Sequence, residues 1–156
     1  MSQIFRIFLV FCLINFSGLY LGSLSTSPGV LSDWYINLNQ APWTPPGYIF
    51  GLAWTTIMLC FSYYMSLLWL KTKNKLKDLI LFGLSWLLNF AWNPFFFVWH
   101  QTVLALLIIS GLLILLVYLG LANRTKLGLN SFWITPYTVW LAIATSLNYY
   151  IVVNNT

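Results

Sequence analysis

Residues Val103–Ala122 read VLALLIISGLLILLVYLGLA, an unbroken apolar run without a charged residue. About 20 such residues, rising 1.5 Å each, cross the roughly 30 Å hydrocarbon core of a bilayer, so this stretch predicts a transmembrane helix. Ile4–Leu24, Tyr48–Leu70, Leu79–Trp99 and Phe132–Val153 qualify on the same grounds. The 156-residue chain is 60% hydrophobic and 6% charged, whereas about a quarter of a soluble domain is charged. Lipid must therefore be the solvent for most of the surface. The expected fold is one all-α integral membrane domain, a bundle of five transmembrane helices over residues 1–156, with residues 25–46 as a loop over one end.

The charges orient that bundle. Arg6, near the start of the first run, and Lys71, Lys73, Lys75, Lys77, Arg124 and Lys126, in the gaps, all fall where five crossings place the amino-terminal side. The remaining gaps hold no lysine or arginine, which supports the count and predicts termini on opposite sides. In a bacterial inner membrane the N-terminus is then cytoplasmic. A net charge of +5 arranged this way reads as topology signal and lipid contact, not as nucleic-acid binding. Arg6, an apolar run and Gly22-Ser23-Leu24-Ser25 also fit a cleavable signal peptide, but spanning length favours a retained helix. Gly18 and Gly22 make a Gly-x-x-x-Gly pair suited to close packing inside the monomer. Cys12 and Cys60 lie in apolar runs and suggest neither a disulfide nor a metal site.

Function concentrates in the loop and two aromatic runs. Trp34-Tyr35 leads to Pro42-Trp43-Thr44-Pro45-Pro46, followed by Phe50 and Trp54; the prolines fix φ and stiffen the loop as a lid carrying Trp34, Pro42 and Pro45. Trp34 and Trp43 also suit the interfacial aromatic belt. In the third run Trp86, Asn89, Asn93, Phe96, Phe97 and His100 recur at helical steps, and in the fifth Tyr137, Trp140, Ala144, Asn148 and Ile151 do so. Asparagine is costly against lipid, so these amides should face inward, bonding other helices or a ligand. Pro94 frees the carbonyl of Phe90 and predicts a bend there. A cavity lined by Phe50, Trp54, Trp92, Phe96, Tyr137 and Trp140 would suit a planar aromatic ligand.

The Trp34-Tyr35, Trp43-x-Pro45-Pro46, Phe50 and Trp54 pattern resembles the tryptophan-rich sensory protein family, also called translocator protein, peripheral benzodiazepine receptor or TspO. Leu88-Asn89-x-x-Trp92-Asn93-x-x-Phe96-Phe97 and Pro136-Tyr137-x-x-Trp140-x-x-x-Ala144-x-x-Leu147-Asn148 extend the resemblance along essentially the whole chain. It implies a receptor or sensor that binds porphyrins, including protoporphyrin IX and haem, as ligands rather than required cofactors. Sterols and benzodiazepine-type or isoquinoline carboxamide drugs are further family ligands, and a homodimer is implied. By matching motif, Tyr35, Trp54, Asn89, Trp92, Asn93, Trp140 and Ala144 are the expected contacts, beneath Trp34, Pro42, Trp43 and Pro45. Gln40 replaces a frequent family lysine. No basic residue follows Tyr149 or Tyr150 to complete the animal sterol pattern, and Leu116-x-Tyr118 to Arg124 matches it only formally.

The interior predicts little acid–base chemistry. Apart from Arg6 near the start of the first, the apolar runs lack Asp, Glu, Lys and Arg, Asp33 and Asp78 fall at opposite faces, and His100 has no carboxylate nearby in sequence. Some bacterial relatives are reported to degrade porphyrin in light. That chemistry would rest on the ligand's photo-oxidation with Trp54 and Trp140, and is the alternative to binding alone. A passive porphyrin or lipid carrier is the third reading.

Overall fold

In the computed structural model, which describes residues 2–155, the regular elements are all helical among the described residues. They are α1 (Gln3–Gly29), α2 (Asp33–Ile36), α3 (Gly47–Lys71), α4 (Lys75–Phe97), α5 (Thr102–Ala122), α6 (Arg124–Leu127), a 3-10 segment (Gly128–Ile134) and α7 (Thr135–Asn154). By length and composition α1, α3, α4 and α5 can each cross a membrane. α7 is long enough but more polar, with Thr135, Thr138, Thr145, Ser146 and Asn148 along it.

Four expected boundaries move by two residues or more. Ser25–Gly29, expected in the lid, continue α1 to Gly29, because the Thr26 hydroxyl donates to Asn93 Oδ1 at 2.6 Å and Gly29 packs on Phe97. The helix expected from Leu79 starts at Lys75, where the Asn74 side chain caps it by accepting from the Lys77 N–H at 3.1 Å. It ends at Phe97 instead of Trp99, and His100 turns into the left-handed region at φ 54°. The last helix begins at Thr135 rather than Phe132, since Gly128, at φ 57°, leads into the 3-10 turns first.

α1 packs between α3 and α4, α5 between α4 and α7, and α3 meets α7 more sparingly. Lipid tails are as apolar as these side chains, so close van der Waals contact and buried polar pairs must hold the helices together. α3 supplies the centre through Ile57, Phe61, Tyr64, Met65 and Leu68, against Leu112, Leu116 and Leu119 of α5 and Leu141 of α7. Asn15 Nδ2 donates to the buried Ser62 Oγ at 2.8 Å, and the Tyr64 hydroxyl donates to the Leu119 carbonyl at 2.9 Å. At the lysine-bearing end, Lys71 donates to the Lys126 carbonyl and Lys126 to Asn123 Oδ1, while Lys77 donates to the Tyr118 hydroxyl. At the other end Asn39 and Asn155 exchange two hydrogen bonds, at 2.7 and 3.1 Å, tying the lid to α7.

Candidate ligand site

The stripe expected along α4 divides into two faces. At roughly 100° per residue, Asn93 and Phe97 each lie within about 20° of Trp86, whereas Phe96 and Trp92 lie about 80° and about 120° round from it. The first face belongs to α1. Trp86 Nε1–H donates to the Ile14 carbonyl at 2.9 Å, with its indole against Gly18. A Cβ at Gly22 would come within 2.7 Å of Asn93 Nδ2, and one at Gly29 within 2.6 Å of Phe97 Cβ. Gly18 and Gly22 thus serve close packing inside the chain, as their spacing predicted, and Gly29 continues their row.

Asn93 faces this seam. Its Oδ1 accepts from Thr26, and its Nδ2 donates to the Asn89 carbonyl at 3.0 Å and, more weakly, to the Phe90 carbonyl at 3.4 Å. Phe90 is the carbonyl that Pro94 deprives of a backbone donor, so the Asn93 amide stands in for the missing N–H and α4 continues through Pro94. Asn89 is half-buried and its side chain makes no hydrogen bond among the described residues.

The second face of α4 points to α7 and the lid. Trp92 Nε1–H donates to Asn148 Oδ1 at 3.0 Å, and Asn148 Nδ2 donates to the Thr102 carbonyl at 3.0 Å, so one buried amide joins α4, α7 and α5. Asn148→Leu strands both partners. Interhelical hydrogen bonds in membranes average about 0.6 kcal/mol, and losing two at a buried node should lower stability by about 1–2 kcal/mol. Thermal denaturation in detergent measures this; an unchanged melting temperature would count against a joining role.

Aromatic rings fill the space around that node. Trp92 stacks on Phe96 at 5.2 Å, and Trp34 meets Phe96 edge-on at 5.6 Å while lying flat on His100 at 3.9 Å. Tyr35 leans on Phe97 at 5.5 Å, and burial pushes its phenol pKa above the ordinary value. Phe50 meets Trp140 edge-on at 5.3 Å and Trp54 meets Tyr137 at 5.9 Å, with Ala144 packed beside them. The fold therefore brings Phe50, Trp54, Trp92, Phe96, Tyr137, Trp140 and Ala144 together and keeps Asn93 on the α1 side.

The lid closes over these rings. Pro42 occupies the second position of a turn in which the Thr44 N–H donates to the Ala41 carbonyl at 2.9 Å, and Pro45 and Pro46 lead directly into α3. Trp43 is 54% exposed, yet its Nε1–H donates to Ser146 Oγ at 3.1 Å and its ring abuts Tyr150. Sequence reading did not single out Asn15, Ser62 or Asn155. A signal existed for Asn15, which extends the helical row of Gly18, Gly22 and Gly29.

On the α3–α7 seam lies an apolar opening of about 310 Å3, bounded by Leu52, Ala53, Thr56, Pro136, Val139 and Trp140. This is the lower end of the roughly 300–1,000 Å3 of small-molecule sites. Trp140 is 7% exposed, and its indole N–H is buried without an acceptor. A buried donor with no partner among the described residues costs about 1–3 kcal/mol, so an acceptor brought to it would stabilise the fold.

These features describe an integral membrane helical bundle whose aromatic interior sits beneath a proline-stiffened lid. The chain belongs to the TspO/MBR family, which it matches over residues 8–153. It is 30% identical over 151 residues to the translocator protein of Bos taurus, covering 89% of this chain and 84% of that protein. Against the Homo sapiens translocator protein identity is 32% over 126 residues, 74% of this chain and 71% of the relative. The tryptophan-rich sensory protein of Cereibacter sphaeroides is 25% identical over 134 residues, 82% of each chain.

Proposed function

We propose that this protein is a membrane receptor or sensor for tetrapyrroles such as protoporphyrin IX and haem, bound among Phe50, Trp54, Trp92, Tyr137 and Trp140. The observation that supports the reading is the Trp140 N–H, buried without a partner among the described residues, on a ring that packs against Phe50 and lines the apolar α3–α7 opening. A flat π-system with peripheral acceptors would exchange ring-on-ring contacts for stacking on itself and accept that hydrogen bond. The present opening is small, so α3 and α7 part to admit the ring. Their sparse packing makes this the seam that opens at least loss. Five membrane crossings, with the lysine-bearing end cytoplasmic in a bacterial membrane, complete the proposal. A homodimer would use a surface other than the glycine row, which α4 occupies.

Titration of the purified protein with protoporphyrin IX in the dark, then under illumination, tests the reading. Saturable quenching of tryptophan fluorescence with an intact Soret band is expected. Absence of saturable quenching would sink the proposal, and protein-dependent bleaching lost in Trp54→Phe would replace a receptor with a porphyrin-degrading enzyme.

A further inference from the structure

A second groove, of about 260 Å3, lies on the lipid-facing side between α5 and the 3-10 segment leading into α7. Its lining runs from mostly apolar residues to a cation at one end, and the hydroxyls of Thr138 and Ser131, also on it, donate to the Thr135 and Gly128 carbonyls. Leu116, Val117 and Leu121 of α5 form one wall, and Phe132 and Ile134 the other. From Leu116 to Arg124 the chain descends roughly 12 Å, ending on a guanidinium at the lysine-bearing end. Gly120 keeps the floor low, since a Cβ there would sit 3.1 Å from Ile134 Cγ2.

The polar end is equipped for an anion. Arg124 has no ion pair or side-chain hydrogen bond among the described residues, whereas Lys71, Lys77 and Lys126 each donate to protein oxygens. Of the chain's two acidic residues, Asp33 opens α2 beside residues 37–46, and Asp78, at the same end as Arg124, is buried in the first turn of α4 and makes no ion pair with it among the described residues. Thr135, also on the groove, is exposed with its hydroxyl uncommitted. Val117, Leu121 and Phe132 are 42%, 65% and 65% exposed, so the apolar wall is open to a chain from the bilayer.

We propose that this groove holds one anionic phospholipid from the leaflet at the basic end, its phosphate on Arg124 and Thr135 and an acyl chain along Val117, Leu121 and Phe132. The site is independent of the aromatic interior, whose α3–α7 opening involves none of these residues. A sterol fits less well. It carries no charge for Arg124, and Tyr118, which the formal sterol pattern requires beside Leu116 and Arg124, instead accepts a hydrogen bond from Lys77 outside the groove. A cation near a membrane surface contributes about 1 kcal/mol towards an anionic lipid, which is about fivefold in affinity.

Native mass spectrometry of the detergent-purified protein with phosphatidylglycerol or phosphatidylcholine of identical chains tests this. Retention of phosphatidylglycerol over phosphatidylcholine is expected, and Arg124→Gln should weaken phosphatidylglycerol binding about fivefold. Lys73→Gln, an exposed charge of the same end outside the groove, should leave it unchanged. Val117→Trp fills the chain-side wall with the cation intact and should weaken both lipids. Equal retention of the two lipids, equal losses in Arg124→Gln and Lys73→Gln, or undiminished binding in Val117→Trp would each overturn the proposal. The last outcome would mean a surface cation holding phosphate alone. Preferential retention of a sterol that is lost in Arg124→Gln would overturn it as well.

Discussion

Replacing Gly29 by leucine is expected to lower the melting temperature in detergent by about 6–12 °C. A Cβ at this buried position meets Phe97 Cβ at 2.6 Å, and Cβ is the side-chain atom that no rotamer can swing aside. Relief requires α1 and α4 to separate. Overpacking costs about 1–3 kcal/mol, and leucine adds three carbons beyond that Cβ, which places this change at the upper end. For chains of this size about 3 kcal/mol corresponds to the stated shift. The effect should reach the lid, because Phe97 carries both Tyr35, at 5.5 Å, and Trp92, at 5.7 Å. Limited proteolysis should therefore cut residues 30–46 faster than in the parent. Gly51→Leu, where an added Cβ meets nothing within 4 Å, is the matched control and should be neutral. Equal behaviour of the two variants would contradict a packing role for the α1 glycines.

Trp140→Phe should separate stability from binding, moving them in different directions. In the unliganded protein the indole N–H is buried without a partner, so its loss removes a desolvation penalty of about 1–3 kcal/mol. The smaller ring gives up some packing against Phe50, leaving the melting temperature near or above that of the parent. Affinity for protoporphyrin IX should fall, by up to about tenfold if the N–H supplies one hydrogen bond of up to about 1.5 kcal/mol. A structural role for the N–H predicts the reverse: lower stability and unaltered quenching. The same titration and melt, run on one preparation, decide between them.

The contrast between Asn93 and Trp140 explains what was legible beforehand. Both were expected to line the ligand site, because both stand at helical spacing within aromatic runs. Spacing tells that residues share a side of a helix, but not which neighbour that side meets. Asn93 lies in the arc of Trp86 and Phe97, and the glycines of α1 bring a backbone against that arc. Trp140 faces α3, whose start is set by Pro46 and whose bulky Phe50 and Ile49 hold the seam less tightly. Boundary shifts at Ser25–Gly29 have the same origin, since Thr26 stays helical through a partner 67 positions away in sequence.

Hydrophobic run length is a one-dimensional property, and lipid enforces it strongly, because an unpaired backbone group in hydrocarbon costs several kcal/mol. An all-helical membrane bundle with an aromatic interior was therefore written in the sequence alone. Tertiary structure decided which amides join helices and which indole N–H is left without an acceptor. It also decided which arginine stands over an open apolar groove. Those outcomes depend on the rotation of each helix about its own axis, and that rotation is set by contacts between residues far apart in the chain.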